Sequence, residues 1–285
     1  MIGLVTDSNS QIPDELRLRY GVDVVPLTVV IDGEELLEGV DLGADEFYAR
    51  LAAGARAVTT SQPSPGRFLE QYRRLVERGV SEIVSIHIGS ALSGTLNSAR
   101  LAAQRCPAPV RLVDTGAASF GISCAVWRAG EALAADATAE EAAAAAEALA
   151  PTVGNVFVVQ ALELARRGGR LVIPAGAELE ASGGQDAAVL SLVGGSAQVV
   201  GRATSVEEAA EVMAAEVLAG ARRAPSGQVR VASGIADAAA RPLSEALERR
   251  LAASPLVAEL VRYRVGPSVG AHTGPGTAGA FWFPA

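Results

Sequence analysis

Short apolar segments alternate with longer helical segments from the first residues onward, and this alternation constrains the fold more than any other feature of the sequence. Helix-start signals occur at Pro13, at Asp45 and at Ser64-Pro65. Such alternation is typical of a parallel sheet with crossover helices. We therefore predict an α/β fold, whose first-half strands are Ile2–Val5, Val24–Val30, Ile83–His87 and Val110–Asp114.

An Ala-rich stretch, Ala117–Ala150, follows these elements and predicts two helices separated near Asp136–Thr138. Thr138 and Glu141 have the spacing of a capping box. The alternation restarts after Pro151, so we predict an N-terminal α/β domain over residues 1–151 and a C-terminal α/β domain over 152–285. The later predicted strands are Val156–Val159, Gln198–Val200, Gln228–Ser233, Val257–Val265 and Ala280–Phe283, and the later helices are Val206–Arg223 and Ala238–Leu251.

Composition excludes several classes of function. The net charge of -8 argues against nucleic acid as a partner, because phosphate binding needs clustered Lys and Arg. The first residues lack the basic segment of a signal peptide, and no apolar run approaches the length of a membrane span, so we expect a cytoplasmic protein.

Cys106 and Cys124 show no metal or redox spacing and are expected to be small buried hydrophobic residues.

Known catalytic and cofactor motifs do not fit this chain. Its two histidines, His87 and His272, lie in no metal-binding motif, and no phosphate-binding loop is present. Gly274–Gly279 matches GxGxxG, but six residues after it leave no room for the helix and strand of a dinucleotide site. We expect no metal and no cofactor. His87 alternates with apolar neighbours and is predicted to be a packed strand histidine.

Three hydroxyl-rich turns are predicted: Thr6-Asp7-Ser8 follows the first strand, Thr59–Gly66 precedes a helix, and Ser90–Thr95 leads from a strand into another helix. Ligands of open α/β sheets collect at the carboxyl ends of the strands, where helix N-termini attract anions. Each segment taken alone is also explained by helix capping. His272 is predicted to lie in the Gly-rich loop Val269–Gly276, as either a structural residue or part of an anion site.

In order and spacing, six segments of the sequence resemble the DegV family: Thr6-Asp7-Ser8, Thr60–Pro65, Leu92–Thr95, Val113-Asp114, Gly168-Gly169-Arg170 and His272–Gly276. The resemblance implies two α/β domains with a lipid tunnel between them and a long-chain fatty acid as ligand. It also implies a set of ligand-binding residues. The carboxylate falls on Thr60 and Ser93, adjoined by Ser61, Gly94 and Thr95 and supported by His272, while Arg170 and Arg202 contact the acyl phosphate or a partner kinase.

The chain departs from the family pattern at two places. Ala188–Val193 replaces an expected strand containing Lys-Pro, which bears on the tunnel wall and on acyl-chain specificity. Asp114-Thr115 replaces Asp-Ser and keeps the hydroxyl.

Three functions are compatible with these features. The first is a carrier, without catalysis of its own, that presents the carboxylate to a fatty acid kinase for acyl-phosphate formation. The second is a lipid hydrolase or acyltransferase with Ser93 as nucleophile and His272 as base, although Gly89–Gly94 is not the GxSxG turn of such enzymes. The third is a regulator or scaffold that holds lipid. We expect a monomer whose membrane contact, if any, is transient and serves lipid exchange.

Overall fold

The chain forms two compact units. The computed structural model describes residues 1–160, 187–193 and 196–285. The first unit comprises Met1–Gly43 and Ala57–Thr152, and the second comprises Ala44–Arg56 and Val153–Ala285. Residues 44–56 therefore group with the second unit, whereas the predicted first domain contained them. The Gly168-Gly169-Arg170 segment and most of Ile173–Ser196 lie outside the described residues.

Both units mix helices and strands, so the predicted α/β class is confirmed. The strands are β1 Ile2–Asp7, β2 Val22–Val25, β3 Thr28–Ile31, β4 Glu34–Leu37, β5 Val58–Ser61, β6 Glu82–His87, β7 Val110–Asp114, β8 Gly154–Val158, β9 Ala187–Val193, β10 Ser196–Ala203, β11 Val229–Ile235, β12 Val257–Arg264 and β13 Ala278–Pro284. The α-helices are α1 Asp14–Arg19, α2 Ala44–Ala52, α3 Pro65–Glu77, α4 Thr95–Ala103, α5 Phe120–Ala134, α6 Ala139–Leu149, α7 Val206–Arg223, α8 Arg241–Ala252 and α9 Pro267–Thr273.

A parallel four-stranded sheet of order β2-β1-β6-β7 is the centre of the first unit. Because successive side chains of a strand point to opposite faces, the buried residues of β1 divide between two cores. Leu4 packs with Ile122 and Ala125 of α5. Val5 packs with Phe68 and Tyr72 of α3 on the other face. Helices on both faces explain why these strands read as nearly continuous apolar runs.

The single strand predicted over Val24–Val30 is wrong. The chain forms β2, which pairs with β1, and then β3, which pairs antiparallel with β4 and β5 in a separate three-stranded sheet. Pro26 lies between them and has no N–H to donate, so it interrupts strand pairing. The next N–H, that of Leu27, donates to Ser8 Oγ at 2.9 Å instead.

Several helix starts follow the predicted signals. Ser64 caps α3 by accepting from the Arg67 N–H, with Pro65 in the first turn. Thr138 and Glu141 form the predicted capping box of α6. The observed Val206–Arg223 helix matches its predicted bounds.

The second unit contains a mixed six-stranded sheet of order β10-β9-β8-β13-β11-β12. Strands β11 and β12 are parallel, and β13 pairs antiparallel with both β11 and β8. Helices α7 and α8 supply Met213, Val217 and Leu247 to the core that covers this sheet. Ala188–Val193, the segment that departs from the family pattern, lies on β9.

The two cysteines differ in exposure. Cys124 is fully buried in α5, as predicted, whereas Cys106 is only partly buried beside the core of α3 and α4. Neither forms a disulfide.

Candidate functional site

Strand β5 carries the first two candidate residues. Thr60 is half-buried and Ser61 is exposed, and they pair with Val29 and Thr28 of β3. The prediction of a hydroxyl-rich turn over Thr59–Gly66 is therefore wrong for its first three residues, which are extended. Strand pairing places the Thr60 and Ser61 side chains on opposite faces of β5.

The start of α4 carries the next three candidates. Ser93 and Gly94 are half-buried, and Thr95 is buried. Ser93 Oγ and Thr95 Oγ1 lie 2.9 Å apart, and Ser93 Oγ accepts from the Thr95 N–H at 3.3 Å. Gly94 is the N-cap and has no side chain to cap the helix. The first turn of α4 therefore presents N–H groups and two hydroxyls together, an arrangement that favours an anion.

Gln62 joins the end of β5 to the start of α4. Its side chain occupies the space where a Cβ on Gly94 would lie, and its Nε2 donates to Ser98 Oγ at 3.3 Å. Of the two residues in this contact, Gln62 lies two residues after Thr60, and Gly94 lies one residue after Ser93. Sequence reasoning did not single out Gln62, although it lies within the matched Thr60–Pro65 segment.

The loop between β6 and α4 is anchored on β7. Asp114 accepts from Ser90 Oγ and from the N–H groups of Ser90 and Gly116. Partial burial alone would raise the pKa of the Asp114 carboxyl, but these hydrogen bonds outweigh that effect and Arg100 adds attraction, so the pKa lies below its ordinary value. Ser90 is therefore engaged in holding the loop.

The Thr6-Asp7-Ser8 segment has a different role from the anion-binding turn that its hydroxyls suggested. Asp7 is fully buried and accepts from the N–H groups of Asn9 and Ile88. Ser8 Oγ donates to Glu38 Oε2 at 2.5 Å and accepts from the Leu27 N–H. Both side chains thus bind other parts of the first unit.

His87 is the packed strand histidine that its apolar neighbours predicted. It is fully buried on β6, and its ring packs edge-on against Phe68 with 5.0 Å between the ring centroids. Its Nδ1 lies 2.9 Å from Asp7 Oδ2.

The remaining candidates lie in the second unit or outside the described residues. His272 is half-buried in the last turn of α9, so its predicted placement in a loop is wrong. The helix ends at Gly274, whose φ of 74° is a backbone conformation that favours glycine. Arg202 is exposed on β10, opposite Ala188 of β9. Arg170 lies outside the described residues, and its role stays a prediction.

The GxGxxG segment does not precede a helix. It connects α9 directly to β13. Gly276 has a φ of 73°, a backbone conformation that L side chains rarely adopt, which accounts for glycine there.

Comparison with known proteins assigns the family. The family model described as "Uncharacterised protein, DegV family" matches residues 1–285. The chain belongs to the DegV family. A DegV domain-containing protein of Streptomyces coelicolor is 37% identical over 279 residues, which cover 98% of this chain and 96% of that protein.

Solved DegV structures match the fold over nearly the whole chain. A DegV family protein from Thermus thermophilus, described by its fatty acid binding, is 36% identical with a TM-score of 0.88, covering 100% of this chain and 99% of that one. A DegV lipid binding protein from Thermotoga maritima is 26% identical with a TM-score of 0.84, covering 99% and 98%. The resemblance drawn from the six sequence segments is thereby confirmed at the level of family and fold.

The described residues of this DegV protein contain neither a cluster of metal ligands nor a helix that could span a membrane. Across residues 1–160, 187–193 and 196–285, no group of three or more His, Cys, Asp or Glu side chains has a geometry that could hold a metal ion. Over the same ranges, no helix has the length and apolar character required to span a bilayer.

Proposed function

We propose that this DegV protein binds a long-chain fatty acid and holds its carboxylate at Thr60 and Ser93. The Thermus and Thermotoga relatives, described as fatty-acid-binding and lipid-binding, support the ligand class. Family membership over the whole chain supports its transfer to this protein.

The geometry at the start of α4 is the main support for this site. Ser93 and Thr95 place two hydroxyls beside the N–H groups of a helix whose N-cap, Gly94, has no capping side chain. A carboxylate can accept from several such donors at once, and the partial positive charge of the helix N-terminus adds attraction. Gln62 brings the end of β5, and with it the Thr60 segment, to the same turn. The Gly94 N–H adjoins this donor set, and Ser61, whose side chain lies on the opposite face of β5 from that of Thr60, adjoins it through its backbone.

Hydroxyls and N–H groups suit a fatty acid because they bind the carboxylate without a formal counter-ion. The acyl chain contributes most of the affinity, since each buried methylene is worth about 0.8 kcal/mol before the costs of binding. The polar site therefore selects the head group, while chain burial selects long over short acids.

The proposed role is that of a carrier, which presents the carboxylate to a separate fatty acid kinase for acyl-phosphate formation. His272 supports the carboxylate, and Arg170 and Arg202 contact the acyl phosphate or the kinase. The carrier acts as a cytoplasmic monomer, and its membrane contact during lipid exchange is transient.

The hydrogen bonds of Ser93 favour binding over nucleophilic catalysis. Within the described part of the chain, Ser93 Oγ is hydrogen-bonded to Thr95 Oγ1 and to the Thr95 N–H, and neither group is a base. A nucleophilic serine needs a base within hydrogen-bonding reach.

Native mass spectrometry of the purified protein, followed by denaturing extraction, tests the proposal. We expect one equivalent of a long-chain fatty acid in the wild type and its loss in the Thr60→Ala/Ser93→Ala variant. Thr59→Ala, which removes the neighbouring hydroxyl from the opposite face of β5, is the matched control and should retain the lipid. Unchanged lipid content in a folded double variant would refute the site, and turnover of an acyl ester that Ser93→Ala abolishes would replace the carrier with an enzyme.

A further inference from the structure

Four buried side chains form a continuous hydrogen-bonded chain in the first unit. Asp7 Oδ2 lies 2.9 Å from His87 Nδ1, His87 Nε2 lies 2.7 Å from Ser85 Oγ, and Ser85 Oγ lies 2.9 Å from Tyr72 OH. All four side chains have zero exposure. None of them belongs to the proposed carboxylate site, and burying so many polar groups is costly unless each is paired.

Asp7 lies at the end of this hydrogen-bonded chain of side chains and also contacts the backbone. A carboxylate can only accept, so the Nδ1–H of His87 donates a hydrogen bond to Oδ2. The same oxygen accepts from the Ile88 N–H at 3.1 Å, while Oδ1 accepts from the Asn9 N–H at 3.1 Å. His87 therefore sets the orientation of a carboxylate that holds the backbone where β6 ends.

That backbone leads directly to Ser93. Ile88 is followed by Gly89, whose carbonyl accepts from the Ser93 N–H at 3.1 Å. Gly89 packs closely against Gly116, since a Cβ on it would lie only 2.7 Å from the Gly116 backbone. The N–H that Asp7 holds and the carbonyl that holds Ser93 thus belong to consecutive residues, Ile88 and Gly89.

We propose that Asp7 and His87 are positioning residues of the carboxylate site, which set the placement of Ser93 through Ile88 and Gly89. This inference rests on the proposed function of Ser93. It gives the four hydrogen-bonded side chains a role in ligand affinity in addition to their contribution to stability.

Two substitutions of His87 separate these roles. The amide nitrogen of an asparagine side chain can occupy the place of Nδ1, so His87→Asn retains a donor to Asp7 and loses the contact with Ser85. The amide of glutamine reaches the place of Nε2, so His87→Gln retains the contact with Ser85 and loses the donor to Asp7. Both variants lose one buried hydrogen bond and the ring packing on Phe68, so both should lower the unfolding midpoint to a similar degree.

Fatty acid affinity should distinguish the two variants. We expect His87→Gln to bind about tenfold more weakly, the loss typical of one disturbed hydrogen bond to a charged group, and His87→Asn to bind within about twofold of wild type. The Gly94 amide resonance should shift in His87→Gln and stay near its wild-type position in His87→Asn. Affinity that is unchanged in both folded variants, or that falls equally in both in step with stability, would overturn the proposal.

A second pair keeps the test decisive if the His87 variants do not fold. Ser85→Ala leaves the Asp7–His87 contact in place and should retain affinity. Asp7→Asn replaces one accepting oxygen by a donor and should weaken binding about tenfold. A folded Asp7→Asn protein with wild-type affinity would also overturn the proposal. If the wild type takes up no fatty acid, or if Thr60→Ala/Ser93→Ala binds normally, the proposed function fails instead.

Discussion

Gln62 lies across Gly94 at the first turn of α4, and its Nε2 donates to Ser98 Oγ at 3.3 Å. No side chain could occupy the Cα of residue 94 without displacing this amide. The contact joins the end of an edge strand to a helix N-terminus. A side chain at this position would therefore have to push the Gln62 amide aside, whereas glycine leaves that contact in place.

Gly94→Ala should weaken fatty acid binding, because the added methyl group overlaps Gln62 and displaces either that side chain or the start of α4. The overlap should also destabilise the protein by about 1–3 kcal/mol, the usual range for overpacking. Urea unfolding and titration with a fluorescent fatty acid measure the two effects. In Gly94→Ala/Gln62→Ala the overlap is absent, so most of the lost stability should return, and strictly additive effects would contradict the contact.

Asp114 predicts a pH-dependent contribution to stability. Since its pKa is lower in the folded protein, its contribution is fully present above the ordinary aspartate pKa of about 3.9 and is lost as the pH falls through the folded value. The difference in unfolding free energy between wild type and Asp114→Asn should therefore be largest near pH 7 and shrink below about pH 4. Asp136→Asn, in the exposed turn between α5 and α6, is the control. A difference that grows on acidification would contradict the assignment.

Gly220 and Trp282 predict a packing effect in the second unit. A Cβ on Gly220 of α7 would overlap the buried indole of Trp282. Alanine should gain about 0.5–1 kcal/mol in helix propensity at this position but lose about 1–3 kcal/mol by overpacking, so Gly220→Ala should be less stable than wild type.

The fluorescence of Trp282 measures this effect in a Trp127→Phe background, which removes the only other tryptophan of the chain. Ala215→Gly, at an exposed position of the same helix, should cost about 1 kcal/mol without changing the emission of the folded state. A stabilised Gly220→Ala protein would mean that the helix has room beside the indole.

Much of the fold could be predicted because it depends on local patterns. The apolar strands of the parallel sheet, the capping box at Thr138 and the bounds of α7 follow from periodicity and from capping chemistry that lie within a few residues. His87 was predicted to be packed for the same reason, since its neighbours on β6 are apolar.

The errors arose where distant segments decide the structure. Val24–Val30 is apolar except for Thr28, yet its two halves pair with different sheets, and the segment Val58–Ser61 becomes a strand because β3 offers it a partner. Local periodicity does not indicate which strands will pair, because strand pairing depends on segments far apart in the sequence.

By itself, the sequence determined the α/β class, the DegV family and the residues proposed to bind the carboxylate, since short motifs and periodic patterns carry that information. The tertiary structure alone decided that Gln62 packs on Gly94 and that Asp7 and His87 hold the backbone leading to Ser93. The physical reason is distance along the chain: Asp7 and His87 are 80 residues apart, and only the pairing of β1 with β6 brings their side chains within hydrogen-bonding reach.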